Sequence, residues 1–160
     1  MNEGKTIANR DFFDWAEQML AEGKTVRFRV RGNSMYPLLR DRTDEVALRP
    51  RNKEETPHKG DIVLFHYQGR HILHRVVRIK GNRLEMRGDN VAVHRETCRT
   101  EDVVGIVTTV FRKRKAGNNF REIPPKASAW RCIGWFRRAL LKIKWQTDIT
   151  FQLQKVIKKL

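Results

Sequence analysis

A chain of 160 residues, 39% hydrophobic and 32% charged, has room for one compact core and none for a second ordinary domain, so whatever lies outside that core is an appendage. The formal net charge of +16 is lopsided: residues 1–111 carry 20 Lys/Arg against 16 Asp/Glu, whereas residues 112–160 carry 14 against 2. A segment of that kind is drawn to polyanions, nucleic acid or anionic lipid, and only the apolar residues interleaved with the charge can choose between them.

Several classes fall away early. No run approaches the roughly 20 apolar residues of a spanning helix, and residues 1–10 are polar where a secretory signal needs an apolar centre. Cys98 and Cys132 show no Cys-x-x-Cys or Cys/His spacing of a zinc site and read as two lone thiols. The expectation is a protein made and kept in the cytoplasm, with the inner membrane face as the surface within reach of its basic tail.

In chain order, Phe12, Phe13, Trp15, Ala16, Met19 and Leu20 fall at helical spacings, which predicts a short amphipathic helix over 11–21 that Gly23 ends. From residue 25 the period changes to two: Val26, Phe28 and Val30 alternate with Arg27, Arg29 and Arg31, the pattern of a strand with one wet face. It runs directly into Gly32-Asn33-Ser34. Further strands are predicted over 45–48, 61–67, 72–79, 83–87 and 103–111, separated by Pro50, Pro57, Gly60, Gly69, Gly81-Asn82 and Gly88. Gly81-Asn82 suits a tight hairpin, because both residues tolerate positive φ. Residues 1–111 thus read as a helix plus a β-rich domain, 112–126 as a basic Pro/Gly linker, and 127–160 as a basic tail with helical periodicity.

Three residues stand out for chemistry. Ser34 sits on a corner at the end of a strand, where a hydroxyl can be exposed; to act as a nucleophile it needs a base and donors for an oxyanion, which backbone N–H groups near Gly32-Asn33 could supply. His74, framed by Ile72-Leu73 and Arg75-Val76-Val77, carries a side chain that ionises close to working pH and so suits a general base. Asp89, directly after a strand, could orient His74 as the acid of a Ser-His-Asp triad does. Taken singly, each has an ordinary role open to it: a turn serine, a hydrogen-bonded strand histidine, a Gly-Asp-Asn turn. The combination carries the weight.

Gly32-Asn33-Ser34-Met35-Tyr36-Pro37, Lys59-Gly60-Asp61-Ile62-Val63, His74-Arg75-Val76-Val77 and Gly88-Asp89-Asn90, in this order, resemble the motifs of signal peptidases and, more distantly, of the self-cleaving SOS repressors that share their catalytic fold. Over residues 26–111 the resemblance implies a mainly β, coiled-sheet core, here with a short N-terminal helix and C-terminal amphipathic helices added. It implies Ser34 as nucleophile and a base from the later strand ending in Arg-Val. Bacterial signal peptidases and the repressors use Lys there, whereas the endoplasmic-reticulum and archaeal branch uses His, so His74 resembles the His branch. In that branch Gly-Asp-Asn is followed closely by another acidic residue, for which 91–96 offers Glu96. Gly32 stands where bacterial signal peptidases often have a hydroxyl. Membrane signal peptidases also carry an N-terminal anchor; a short polar-flanked helix in its place points to a peptide substrate in the cytoplasm or at the inner face. The implied activity is a serine endopeptidase that cleaves a leader or signal-like peptide through an acyl-enzyme, with no metal or cofactor.

In the tail, Trp130, Trp135, Phe136, Leu140, Leu141 and Trp145 interleave with Arg131, Arg137, Arg138, Lys142 and Lys144, the composition of helices that lie in a membrane interface. After Thr147-Asp148, Ile149, Leu153, Val156, Ile157 and Leu160 form a cleaner stripe. An anionic membrane surface or a partner protein is the favoured reading of the tail, packing on the β-core the plain alternative, and nucleic acid the least favoured, since no recognised nucleic-acid motif appears. Two rival functions remain on this reading. One is a non-catalytic binding module on the same fold. The other is a DNA-associated self-cleaving repressor relative, suggested by Ala116-Gly117, although residues 1–25 hold one convincing helix where a helix-turn-helix needs two.

Overall fold

A computed structural model describes residues 9–114 and 119–125. The expected tail helices over 127–160, Cys132 and the Ala116-Gly117 dipeptide lie outside the described residues. The chain runs α1 (Asn9–Ala21), β1 (Val26–Arg29), β2 (Asp44–Pro50), β3 (Ile62–Tyr67), β4 (Arg70–Lys80), β5 (Arg83–Arg87), β6 (Glu96–Arg99), a 3-10 turn (Thr100–Asp102), β7 (Val103–Lys113) and β8 (Phe120–Ile123). The eight strands of the described residues join one antiparallel sheet in the order β1-β2-β7-β3-β4-β5-β6, with β8 added to the far end of β7. The mainly β architecture expected from the sequence is what folds.

The strand at the centre explains the sheet. Ile62 and Leu64 of β3 pack into one apolar cluster, with Ala16, Leu20, Val46, Leu48, Val107 and Val110, while Val63 and Phe65 pack into a second with Val76, Leu84, Met86, Cys98 and Ile106. A strand buried on both faces reads as a continuous apolar run, as this one does, and each such side chain contributes roughly 1.5–3 kcal/mol on burial. Cys98 of β6 meets Val63 and Phe65 of β3 although two strands separate them in the sheet order, so the sheet curls back on itself.

Helix α1 caps the first cluster. Ala16 and Leu20 are buried and Phe12, Phe13 and Met19 pack beside them, whereas Trp15, which the spacing also assigned to the apolar face, is exposed. The helix ends as expected at Gly23, with φ +81°, and the N–H of Lys24 reaches back to Met19 O at 2.9 Å. The predicted hairpin at Gly81-Asn82 joins β4 to β5 directly, with Gly81 at φ +56°.

Two elements differ from expectation. Strand β6 was not predicted, and within the range 112–126, expected to be a linker, two described stretches belong to the sheet: β7 continues to Lys113, and β8 pairs with it in the register Val110↔Ile123 to Lys113↔Phe120. Among the described residues no helix is long and apolar enough to cross a membrane.

Candidate active site

Ser34 lies on the loop between β1 and β2, and that loop is laced down along its length. The N–H of Val30 donates to Asp44 O and that of Arg42 to Val30 O, each at 3.0 Å, closing the base of the loop. At its tip, Gly32 adopts φ +92° and donates its N–H to Asp41 Oδ1 at 2.8 Å, a turn only glycine makes without strain. Tyr36 N–H then donates to Asn33 O at 3.1 Å and Leu39 N–H to Met35 O at 2.9 Å; the Tyr36-Pro37 peptide is cis. Met35, Leu38 and Leu39 are buried in the first cluster, so the loop is anchored by its apolar half and Ser34 is left exposed.

A buried carboxylate fastens the loop from below. Asp44 is fully buried and takes two donors from Arg112, Nη2 at 2.7 Å and Nε at 3.2 Å, and a third from the N–H of Arg40 at 3.0 Å. Arg112 Nη2 also donates to Leu38 O at 2.7 Å. One guanidinium thereby ties the loop to the end of β7.

His74 is buried in β4, with Nδ1 2.9 Å from Oε2 of the equally buried Glu96. In the neutral ring, a carboxylate at that distance favours the tautomer with the proton on Nδ1 and the lone pair on Nε2. Nε2 faces the space above Gly88. A Cβ built on Gly88 would stand 3.0 Å from His74 Nε2 and 2.5 Å from Ser34 O, so these two atoms are no farther apart than the sum of those distances. Ser34 O also accepts the N–H of Asn90 at 2.8 Å. The fold therefore brings the Ser34 main chain, the acceptor nitrogen of His74 and the Gly88-Asp89-Asn90 turn to one place.

Asp89, expected to orient His74, is held by an arginine. Its carboxylate forms a fork with Arg75, Oδ1 to Nε at 2.9 Å and Oδ2 to Nη2 at 2.7 Å, and the acid on His74 Nδ1 is Glu96. Register gives the reason. Arg87 of β5 is the partner of Arg75, so two residues on, Asp89 continues the side of the sheet to which Arg75 points. Met86 pairs with both Val76 and Glu96, which puts Glu96 on the face shared by Val76 and His74. Arg75 in turn donates Nη1 to Gly60 O at 2.7 Å and to Pro125 O at 3.3 Å. The Arg75-Asp89 pair thus clamps the 88–90 turn, and through Asn90 the turn holds Ser34.

Among the other titratable groups, His94 Nε2 stands 3.6 Å from Oε1 of Glu96, and two groups are strongly shifted from their ordinary values. Burial, with a smaller contribution from the Asp102 charge, pushes the Cys98 thiol up to about 12, which leaves it protonated and inert. Hydrogen bonding from Arg49 draws the Glu55 carboxyl down to about 2.

Among the described residues, an antiparallel curled sheet under α1 carries a serine loop held beside a buried histidine-carboxylate pair, an arrangement of peptidase-like architecture. The chain belongs to the Peptidase S24-like family, whose model matches residues 2–111. No curated protein matches it. Membership gives the fold shared by serine peptidases and self-cleaving repressors, and the family includes members without catalysis.

Proposed function

We propose that the protein is a serine endopeptidase in which Ser34 is the nucleophile, His74 the general base and Glu96 the acid that orients His74. Asp89 positions the Gly88–Asn90 turn rather than the imidazole. Ser34 Oγ gives its proton to His74 Nε2 as it bonds to the scissile carbonyl carbon, and backbone N–H groups at the corner of the loop receive the oxyanion. The tetrahedral adduct collapses when His74 hands that proton to the departing amine, leaving an acyl-Ser34. Water, deprotonated by the same nitrogen, then releases the acid and restores the serine. The observation that carries this reading is the Glu96-His74 pair, with Nε2 turned across Gly88 toward the Ser34 main chain.

For substrate, the resemblance to the His-base branch of signal peptidases favours a leader or signal-like peptide. The composition of residues 127–160 favours an anionic membrane as the surface on which the peptide is met.

The test is phosphonylation of the purified full-length chain by a fluorophosphonate, the serine oxygen bonding to phosphorus as fluoride leaves, with the modified residue located by mass spectrometry, alongside turnover of a peptide library. Wild type should be labelled on Ser34. Ser34→Ala and His74→Ala should each abolish turnover, and Glu96→Gln should slow it by on the order of 10³–10⁴ through loss of the oriented tautomer. Labelling and turnover that survive in folded His74→Ala, or wild type that neither labels nor cleaves, would overturn the assignment.

A further inference from the structure

Beneath helix α1, on the side of β4 away from His74, two imidazoles and a carboxylate converge. His66 and His71 are register partners across the β3–β4 hairpin and so project from the same face, with ring centroids 4.2 Å apart. Glu17 comes down from α1 between them. Its Oε2 lies 2.9 Å from His66 Nε2 and 3.4 Å from His71 Nε2, and one ligand atom from each of the three residues lies within 4.8 Å of the other two. Phe13 stacks on the His71 ring at 4.9 Å with 15° between planes, fixing the direction of that nitrogen.

We propose that Glu17, His66 and His71 form a binding site for a first-row divalent cation, zinc foremost. Around a tetrahedral zinc with bonds of about 2.0–2.1 Å, ligand atoms stand about 3.3 Å apart. The separations of 2.9 and 3.4 Å straddle that value, so adjustments of a few tenths of an ångström would admit the ion. Two imidazole nitrogens and one carboxylate oxygen suit zinc and its neighbours rather than magnesium or calcium, which prefer all-oxygen shells. Three protein ligands leave a fourth position for water. The His71 side chain is 9% exposed and forms the fixed floor, while His66 and Glu17, at 41% and 44%, leave the ion a way in. Since residue 17 is remote in sequence from 66 and 71, the bound ion would clip the helix to the hairpin. Leu73, two residues beyond His71, packs into the cluster under α1, whereas His74 takes the alternate side, so this site is separate from the serine and its base.

The decisive measurement is calorimetric titration of zinc chloride into chelator-stripped, full-length protein, with cobalt(II) absorption as a second readout. The expected result is one equivalent bound, four-coordinate visible bands for cobalt, and a melting temperature that rises with zinc. His66→Ala and Glu17→Gln should each weaken binding at least tenfold and suppress the zinc-dependent rise, while a His58→Ala/His94→Ala double variant binds as wild type does. His66 is the preferred test because His71 is packed against Phe13. Absence of stoichiometric binding, undiminished affinity in His66→Ala and Glu17→Gln, or a thiolate-to-cobalt charge-transfer band locating the ion on cysteine would each overturn the proposal; in the first case Glu17 is simply a hydrogen-bond acceptor shared by two imidazoles.

Discussion

Replacing Gly88 with alanine places a methyl group where Ser34 and His74 meet. Its Cβ would stand 2.5 Å from Ser34 O, 2.8 Å from Val91 Cγ2 and 3.0 Å from His74 Nε2, whereas ordinary contact begins near 3.4 Å. The valine methyl and the imidazole can yield by rotating. The Ser34 carbonyl cannot, because it is main chain and already holds the Asn90 N–H at 2.8 Å. Relief therefore requires the serine loop and the 88–90 turn to separate by about 1 Å, stretching that bond. Overpacking of this kind costs about 1–3 kcal/mol, and a displacement of about 1 Å at a reacting group costs on the order of 10² in rate. The assay is the rate at which a fluorophosphonate phosphonylates Ser34, beside a urea melt. Gly88→Ala should stay folded, lose about 1–3 kcal/mol by the same packing argument, and be labelled about 100-fold more slowly. Gly81→Ala, which strains a φ of +56° in the β4–β5 turn where a Cβ meets nothing, should lose stability without slowing labelling. A Gly88→Ala protein that is labelled at the wild-type rate with an unchanged urea midpoint would refute the idea that this glycine is where serine and base converge.

Asp89→Ala leaves Arg75 buried without its forked partner and should destabilise the protein by about 3–5 kcal/mol in urea unfolding; a loss of turnover with no loss of stability would return Asp89 to an orienting role. In a Cys132→Ser background, Cys98 should resist iodoacetamide at pH 8 until the protein is unfolded, since burial holds its thiol at about 12; rapid labelling of native protein would contradict this. The same shift has a sign: above about pH 9 the unfolded thiol ionises while the folded one does not, so stability should fall as pH rises toward 12, and Cys98→Ala should remove that part of the fall. Full-length protein should bind vesicles only when they contain anionic lipid, with binding weakened by salt and a blue shift of Trp emission; indifference to such vesicles at low salt would remove the membrane from the proposal.

Much of this molecule was legible because its elements announce themselves locally. The alternation of Val26 and Phe28 with arginines, the unbroken Ile62–Phe65 run and the Gly81-Asn82 turn each carry the physical cause of what they form. The two missed strands lack such a signature. In β6, Glu96 and Cys98 occupy the inward positions, so a charge stands where an alternating strand would show an apolar side chain; in β8, three of four residues are exposed. The site divides along the same line. Ser34 and His74 belong to short motifs that could be read directly, but the choice between Asp89 and Glu96 depends on the register of β5 against β4 and β6, which no local pattern encodes. The acidic residue that the resembled motif carries soon after Gly-Asp-Asn is the signal in the sequence for Glu96, whereas Asp89 lies inside the motif itself. The Glu17-His66-His71 group joins a helix to a hairpin and had no linear signature at all.

Arg112 is the first residue beyond the stretch that the family model matches, yet it is the one that ties the serine loop to the sheet, and Pro125, farther still, takes a bond from the arginine that clamps the 88–90 turn. The stretch that the family model matches and the stretch that fastens the serine loop therefore end at different places. A fragment cut at residue 111 would keep every shared motif and lose the rivets, much as a lock keeps its tumblers when the plate behind them is removed. Fusions, truncations and domain transplants that respect the similarity boundary would break the part that holds the serine still, whereas those that run through Pro125 would carry it intact.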